Sequence, residues 1–326
     1  MATVTDRRQS ASLRSMASIH LQGLHHITAI TADAQRNLDF YVRVLGLRFV
    51  KQTVNFDAPD AYHLYYGDEH GTAGSVMTFF EFPDAAAGRA GAGSVHRIVW
   101  RVPSTDSLDF WETRIRAEGL DVTPEAASLV FSDPEGLEIQ LVTEKQEDPP
   151  LAADAPDVPT EHALSGFEGV QAYSSDPDAS HSMLVDALSF TPLADGAGHR
   201  LTGGVRHALY HVDPPPDEPG VQGAGTVHHV AWAANDRDLD HWRQQVTGAG
   251  LHPTEVIDRK YFHSVYFREP GGVLFELATF TPGFAVDEMP DQLGEQLQLP
   301  EQHEHLRGEL EQSLRPLVNP RIHVGE

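Results

Sequence analysis

Hydrophobic and polar positions repeat four times along the chain in the same order. A short alternating stretch, typical of a strand with one buried face, opens each module, and apolar positions at helical spacing fill the next ~20 residues. The openers are Gly23-Leu-His-His-Ile, Ser94-Val-His-Arg-Ile, Gly166-Phe-Glu-Gly-Val and Thr226-Val-His-His-Val. The helical patterns cover 33–45, 104–118, 176–188 and 236–249. Because strand-like runs complete each module, the sequence predicts four modules of strand, helix and three strands (βαβββ).

Turn signals and changes of composition suggest how the modules are grouped. A Pro-x-Gly turn leads into the last strand of modules two and four, as Asp133-Pro-Glu-Gly and Glu269-Pro-Gly-Gly. Residues 144–164 are rich in Pro, Ala and Asp, as linkers are. We therefore predict a flexible tail at 1–18, a domain of modules one and two at 19–143, a linker at 144–164, a domain of modules three and four at 165–282, and a C-terminal extension at 283–326. Within the extension, 301–317 predicts a helix with Leu306, Leu310 and Leu314 on one stripe.

Composition restricts the partners and the chemistry. The 326 residues include 48 Asp and Glu against 23 Lys and Arg, a formal net charge of -25. Nucleic acids and anionic membranes would repel such a chain, so we expect neither as a partner. The absence of cysteine excludes disulfides and cysteine-bound metals. No apolar run reaches the ~20 residues that span a membrane, and 1–18 lacks the apolar stretch of a secretory signal, although its Ser and Arg content is shared by transit peptides. We expect a cytoplasmic protein.

Two of the openers carry adjacent histidines, at 25–26 and at 228–229. When the openers are aligned, one position is occupied by His26, Arg97, Gly169 and His229; the aligned Pro-x-Gly turns set Gln140 opposite Glu276. Neighbouring strand residues face opposite sides, so one histidine of each pair can point into a shared site. A single strand histidine is more often a hydrogen-bonded core residue, but the joint occurrence in modules one and four favours a metal site. Two imidazoles and a carboxylate suit a non-haem Fe(II) oxygenase, and modules one and four should meet around the metal.

Longer motifs run through the chain from about residue 21 to residue 317. They are Leu24-His-His-Ile-Thr-Ala-Ile-Thr, Asn37-Leu-Asp-Phe-Tyr, Leu45-Gly-Leu-Arg, Lys51-Gln-Thr-Val-Asn-Phe-Asp, His63-Leu-Tyr-Tyr-Gly-Asp, Val227-His-His-Val-Ala and 258–279. With these motifs the modules resemble the vicinal oxygen chelate superfamily and, more narrowly, the hydroquinone 1,2-dioxygenases and related ring-cleaving dioxygenases of the glyoxalase fold. The resemblance implies an α+β fold in which four βαβββ modules form two cup-shaped, glyoxalase-like mixed-sheet units, with a C-terminal helix.

The resemblance also implies a reaction and its residues. It assigns the metal to His26, His229 and Glu276 and implies Fe(II), with Mn(II) as a second candidate. The substrates would be O2 and a small aromatic diol, hydroquinone or a substituted hydroquinone. The catalytic and supporting residues that it implies are Tyr266, Arg259, His228, His25 and Thr28. Strand alternation places His25 and His228 away from the metal face unless the strands bulge there.

Other functions stay open at this point. A catechol-type extradiol dioxygenase would need the same metal ligands. A glyoxalase-like lyase or isomerase using Ni(II) or Zn(II) would call for a fourth protein ligand, for which the repeat offers only Gln140 and Arg97. A non-catalytic binding protein would have no need of all three ligand-type residues. The sequence also leaves open whether the chain forms a homo-oligomer.

Overall fold

Two eight-stranded mixed sheets build the fold. The computed structural model describes residues 19–125, 127–143, 148–194, 196, 198–202 and 204–321, so the predicted tail at 1–18 lies outside the described residues. The first sheet contains β1 (Leu24–Thr31), β2 (Arg48–Asn55), β3 (Ala58–Gly67), β4 (Val76–Glu81), β13 (Val227–Ala234), β14 (Ile257–Asp258), β15 (His263–Arg268) and β16 (Leu274–Thr279). The second contains β5 (Ser94–Val102), β6 (Val122–Glu125), β7 (Ser128–Ser132), β8 (Glu138–Thr143), β9 (Phe167–Tyr173), β10 (Thr191–Pro192), β11 (Gly198–Leu201) and β12 (Ala208–Asp213).

Each sheet joins one module from the first predicted domain with one module from the second. The strand order of the first sheet is β14-β15-β16-β13-β1-β4-β3-β2, which combines modules four and one through the antiparallel pair β1–β13. The second sheet, β10-β11-β12-β9-β5-β8-β7-β6, combines modules three and two. The predicted βαβββ plan, the α+β class and the meeting of modules one and four are confirmed. The division into domains at 19–143 and 165–282 stays a prediction, since each sheet takes one module from each segment.

A helical segment follows the first strand of every module, as predicted. They are α1 (Ala34–Leu38), continued by a π-helix (Asp39–Val44); α2 (Thr105–Ala117); α3 (Pro177–Ser182), continued by a π-helix (Met183–Ala187); and α4 (Leu239–Gly248), preceded by a 3₁₀-helix (Asp236–Asp238). Asp33, Ser104 and Asp176 cap α1, α2 and α3 by accepting backbone N–H groups in the first turn. These segments and both sheets share one hydrophobic core that includes Trp100, Trp111, Trp232 and Trp242.

The C-terminal helix is shorter than predicted. A 3₁₀-helix (Glu301–Leu306) leads into α5 (Arg307–Ser313), and the predicted extent to residue 317 was wrong. Pro316 disfavours helical backbone at the residue before it, which explains an early end. Leu310 and Leu314 are nevertheless buried against the main core. None of the helices in the described part of the chain is long and apolar enough to cross a membrane.

Candidate metal centre and active site

Three side chains from adjacent regions of the first sheet converge on one point. His26 lies on β1, His229 on β13 and Glu276 on β16, and all three are buried. The Nε2 atom of His26 lies 3.1 Å from Glu276 Oε2, and the Nε2 atom of His229 lies 2.9 Å from it. The two Nε2 atoms are 3.2 Å apart. Among the described residues they form a group of three potential ligands whose atoms all lie within 4.8 Å of one another. The residues that the repeat singled out are therefore in contact.

Both strands are locally irregular beside these histidines. The β1–β13 register shifts between Leu24 and His26 and again between Thr28 and Ala29, so that His25 and His228 have no direct partner in the pairing. Such shifts re-aim side chains. His25 Nδ1 lies 2.9 Å from His26 Nδ1, and His228 Nδ1 lies 2.8 Å from His229 Nδ1. Each outer histidine therefore contacts the ring of its neighbour instead of turning away from it.

A backbone carbonyl determines which nitrogen of His26 is free. His25 Nε2 lies 3.0 Å from Thr279 O, which can only accept, so we assign the proton of His25 to Nε2. Burial, followed by the neighbouring His26, lowers the pKa of His25 to about 3, so its Nδ1 is an unprotonated acceptor. His26 then donates from Nδ1, and its Nε2 presents a lone pair towards Glu276. This is the arrangement by which an outer partner orients a metal-binding imidazole.

The donor set fits a divalent cation. Glu276 Oε2 is buried and has no hydrogen-bond donor among the described residues, although two imidazole nitrogens lie about 3 Å away. A buried carboxylate oxygen held about 3 Å from two imidazole nitrogens is an arrangement that a cation between the three atoms would stabilise. Ligands at right angles and 2.1 Å from one ion are roughly 3 Å apart, against roughly 3.4 Å for tetrahedral ligands. The observed spacing of 2.9 to 3.2 Å therefore suits three ligands on one face of an octahedral ion.

The protonation states also suit metal ligands. Burial alone would raise the pKa of Glu276, but the His26 and His229 imidazoles hold it well below its usual value. Burial lowers the pKa of His229, and burial followed by His229 lowers that of His228 to about 4. The low pKa of Glu276 favours an ionised carboxylate and the lowered pKa of His229 favours a neutral imidazole, which are the forms that bind metals.

A serine orients the carboxylate. Ser264, on β15, is fully buried, and its hydroxyl donates to Glu276 Oε1. The hydrogen bond leaves Oε2 to face the two imidazoles. Sequence reasoning missed this residue, although it precedes Tyr266 by two positions and therefore shares the face of β15 that carries Tyr266.

A cavity of about 400 Å³ opens over the two histidines. This volume is within the usual range for small-molecule sites. Its apolar lining residues are Phe56, Phe80, Phe82, Ile257, Phe262 and Leu274, and its polar ones include His63, Tyr65, His228, Arg259 and Tyr266. The ring centroids of Phe262 and His26 are 5.1 Å apart, and those of Phe80 and His228 are 5.4 Å apart. The lining is thus largely aromatic, with polar groups at a few points.

Tyr266 and Arg259 form one polar wall of the cavity. Arg259 Nε donates to the Tyr266 hydroxyl oxygen at 3.2 Å, and Arg259 Nη1 donates to Asp57 Oδ2 at 3.1 Å. The Ser264 hydroxyl also interacts with the phenol, and Tyr266 lines the cavity. Burial, followed by the charge of Glu276, raises the pKa of Tyr266.

A second tyrosine faces the cavity from the pseudo-equivalent place in module one. Tyr65 pairs with Thr78 across β3 and β4 as Tyr266 pairs with Glu276 across β15 and β16. The Tyr65 hydroxyl lies 2.9 Å from His63 Nδ1, and His63 Nε2 lies 2.9 Å from Thr78 Oγ1. Thr78 Oγ1 in turn lies 2.8 Å from Thr28 Oγ1. Four buried polar groups therefore form a continuous hydrogen-bonded chain.

The same internal symmetry corrects the predicted candidates for a fourth metal ligand. Thr78 pairs with Thr28 on β1 as Glu276 pairs with Ala231 on β13, so the position equivalent to Glu276 in this sheet holds a threonine. Gln140 and Arg97 are in the second sheet, where Gln140 Nε2 donates to Ser128 and Arg97 pairs with Glu138. They are not candidates, because modules two and three do not contribute to this cup.

The predicted site residues differ in whether the structure places them at the cavity. The structure brings His26, His229, Glu276, Tyr266, Arg259 and His228 together around the cavity. His25 and Thr28 do not line it, since His25 lies behind His26 and the Thr28 hydroxyl contacts Thr78. Besides Ser264, sequence reasoning missed His63, Tyr65 and Asp57. The motif His63-Leu-Tyr-Tyr carried a signal, since alternation places residues 63 and 65 on one face.

Comparison with known proteins extends these findings. Residues 23–141 and 166–277 match the family described as the glyoxalase/bleomycin resistance protein/dioxygenase superfamily. MhqE of Bacillus subtilis, provisionally named a ring-cleaving dioxygenase, is 40% identical over 291 residues, which cover 86% of this chain and 94% of MhqE. The chlorohydroquinone/hydroquinone 1,2-dioxygenase of Sphingobium indicum is 34% identical over 318 residues, 92% of this chain and 97% of that enzyme.

Solved structures give the same grouping. A crystal structure from Bacillus subtilis, provisionally described as a dioxygenase, is 38% identical with a TM-score of 0.87, and covers 93% of this chain and 100% of that one. Glyoxalase I from Zea mays, at 14% identity and a TM-score of 0.56, covers 79% of this chain and 92% of that one and shares the fold.

Proposed function

The chain belongs to the glyoxalase/bleomycin resistance protein/dioxygenase superfamily, and on this premise we propose that it is an Fe(II)-dependent dioxygenase that opens the ring of hydroquinone or a substituted hydroquinone. One observation carries the proposal. The ligand atoms of His26, His229 and Glu276 converge beneath an aromatic cavity, with one carboxylate oxygen lacking a hydrogen-bond donor in the described structure. The relatives named as ring-cleaving dioxygenases support the same reaction class.

In this proposal His26, His229 and Glu276 hold the metal. Two imidazoles and one carboxylate, with positions left open, suit Fe(II), and Mn(II) is the second candidate. Bound Fe(II) would supply adjacent positions for a diol oxygen and O2 and a route for electrons between them. His25 orients the His26 ring through the Nδ1 contact, and His228 does the same for His229.

The cavity walls would hold a ring that reaches the metal through one oxygen. A para-diol cannot use both hydroxyls at one ion, so protein groups must fix the rest of the ring. The apolar lining, including Phe262 and Phe80, offers ring contacts and excludes water. Tyr266, which lines the cavity, would donate its O–H to the substrate oxygen, while Arg259 holds the phenol oxygen and stabilises developing negative charge. Tyr65, held by His63, would bind a hydroxyl on the opposite wall.

The glyoxalase-like alternative receives less support from this geometry. That chemistry calls for a fourth protein ligand, and the pseudo-equivalent position holds Thr78, whose hydroxyl is engaged by Thr28 and His63. The preference for a para-diol over a catechol rests on the similarity to the hydroquinone enzyme of Sphingobium indicum.

Oxygen uptake tests the proposal. Metal-free protein reconstituted anaerobically with Fe(II) should consume one O2 per ring opened with hydroquinone, and less rapidly with catechol. The Glu276→Ala and His229→Ala variants should lose both metal and uptake. An absence of uptake with either diol, from protein that binds Ni(II) or Zn(II) as purified, would show that the proposed reaction is wrong.

A further inference from the structure

The two edges of the first sheet meet at the mouth of the cavity. Edge strands β14 and β2 are at opposite ends of the eight-strand order. Arg259 follows β14 directly and Asp57 lies in the turn after β2, yet Arg259 Nη1 is 3.1 Å from Asp57 Oδ2. Both residues line the cavity. The sheet therefore curls until its edges come together at a side chain that faces the proposed substrate.

Asp287, in the C-terminal extension, forms ion pairs with β2 and with the loop that follows β14. Lys51 of β2 donates to Asp287 Oδ1 at 2.7 Å, and Lys260 of the loop after β14 pairs with Asp287 Oδ2 at 2.6 Å. The Tyr261 hydroxyl donates to the same oxygen at 3.1 Å. The Lys51 side chain is fully buried and also contacts Glu288. Two of the three lysines of the chain thus converge on one acidic pair.

The loop that carries Arg259 depends on contacts of this kind. Lys260 has a φ of 66°, a left-handed conformation that costs a residue other than glycine about 1 kcal/mol. Its backbone N–H donates to Asp258 Oδ1 at 2.7 Å, and its Nζ donates to Leu299 O at 2.8 Å. The side chain of Lys260 is therefore anchored in the extension while its neighbour Arg259 points into the cavity.

The extension also forms hydrogen bonds with β2 and with the turn that follows it. Gln298 N donates to Gln52 O at 2.8 Å, and His303 Nε2 donates to Phe56 O at 2.9 Å. Phe56 lines the cavity beside Asp57. Tyr261, Phe262, Phe284 and Leu293 pack into one apolar cluster with Tyr65, which joins the extension to both cavity walls.

We propose that Asp287 is a positioning residue, which fixes Arg259 over the substrate by tying the edge strand β2 to the loop 258–262. The inference rests on the proposed function for its kinetic consequences. The described hydrogen bonds and ion pairs of Asp287 are with Lys51, Lys260 and Tyr261 and not with the three proposed ligands. Its loss should therefore leave the metal site intact and disturb the wall that holds the ring. A displacement of about 1 Å of such a group can cost as much as 100-fold in catalysis.

The test compares Asp287→Asn with Asp291→Asn, an exposed residue of the same extension. We expect Asp287→Asn to raise KM for hydroquinone roughly tenfold or more, with metal content unchanged, and Asp291→Asn to behave as wild type. Asp287→Glu should restore much of the KM because it retains the charge. In a double-mutant cycle, Asp287→Asn should add little to the defect of Arg259→Lys. Should Asp287→Asn fail to fold, Lys260→Met removes the loop contact and leaves the Lys51 pair.

Hydrogen exchange in metal-free protein supplies a second measurement that needs no turnover. The amide of Arg259, bonded to Phe262 O, and that of Tyr261 should exchange faster in Asp287→Asn. Unchanged exchange in this loop would overturn the inference, and so would an unchanged KM in an active enzyme or additivity with Arg259→Lys. If the wild-type protein opens no diol, the proposed function fails, and the exchange measurement alone decides whether Asp287 holds the loop.

Discussion

Ser264 offers a stringent test of the metal centre because it contacts the carboxylate without being a candidate ligand. Its hydroxyl donates to Glu276 Oε1, and the side chain is fully buried on β15. Ser264→Ala removes one oxygen atom and leaves Glu276 Oε1 without that donor. The carboxylate then loses the bond that directs Oε2 towards His26 and His229.

The size of the effect follows from the kind of hydrogen bond that is lost. Removing an outer partner of a metal ligand typically weakens metal binding 10- to 100-fold, or about 1.4 to 2.8 kcal/mol. A hydrogen bond to a charged group is worth about 1.5 to 3 kcal/mol, which is a similar amount. We therefore expect the Kd for Fe(II) to rise 10- to 100-fold, while kcat per bound metal changes little, since the three ligands and Tyr266 remain.

Competition with a calibrated chelator under anaerobic conditions measures this Kd. The second sheet supplies a matched control, because Ser128 is buried on β7 and bonds to Gln140, which aligns with Glu276. Ser128→Ala should leave the Kd for Fe(II) within about twofold. Equal Kd values for Ser264→Ala and wild type would refute the assignment of Glu276 as a ligand held by Ser264.

Three further predictions concern the cavity and the fold. Tyr266→Phe should retain metal and lose roughly 100-fold in kcat, because it removes the O–H that would be donated to the substrate. Metal analysis and steady-state kinetics test this prediction, and a wild-type kcat would contradict it. Tyr65→Phe should raise KM for hydroquinone about tenfold, the value of one hydrogen bond, with kcat little changed. Asp133→Asn should stabilise the fold above pH 6, because burial raises the pKa of Asp133 to about 6 and the ionised form is therefore disfavoured. Its advantage over wild type should grow by up to about 3 kcal/mol from pH 4 to pH 8 in denaturant titrations, and a pH-independent difference would count against it.

Much of the site could be predicted because the internal repeat supplies an alignment within a single chain. His26 and His229 are at equivalent opener positions. Glu276 follows the Pro-x-Gly turn of module four at the same spacing as Gln140 follows the turn of module two. That turn is itself predictable in physical terms. The side chains of Asp133 and Glu269 accept backbone N–H groups of their own turns. Leu137 N donates to Asp133 Oδ1 at 2.9 Å, and Val273 N donates to Glu269 Oε1 at 3.0 Å.

Residues whose role depends on strand pairing could not be predicted in the same way. Alternation along β15 assigns Ser264 and Tyr266 to one face, but it does not reveal that Glu276 on β16 lies opposite Tyr266. The contacts of His25 and His228 depend on register shifts between β1 and β13, which join residues about 200 positions apart. Alternation alone predicted the opposite orientation for these two histidines.

The C-terminal extension illustrates why such contacts lie beyond sequence patterns. Its helical stripe was visible, yet Asp287 and Glu288 lie in a stretch without periodicity, and nothing local indicates that Lys51 and Lys260 are their partners. The pairing exists because the sheet curls until β14 and β2 approach each other. In a chain with a net charge of -25, Lys51 is neutralised within the fold by Asp287 and Glu288 and fully buried. A buried ion pair contributes little net stability compared with apolar packing, so its placement is better explained by the geometry it imposes on Arg259 than by the stability it adds.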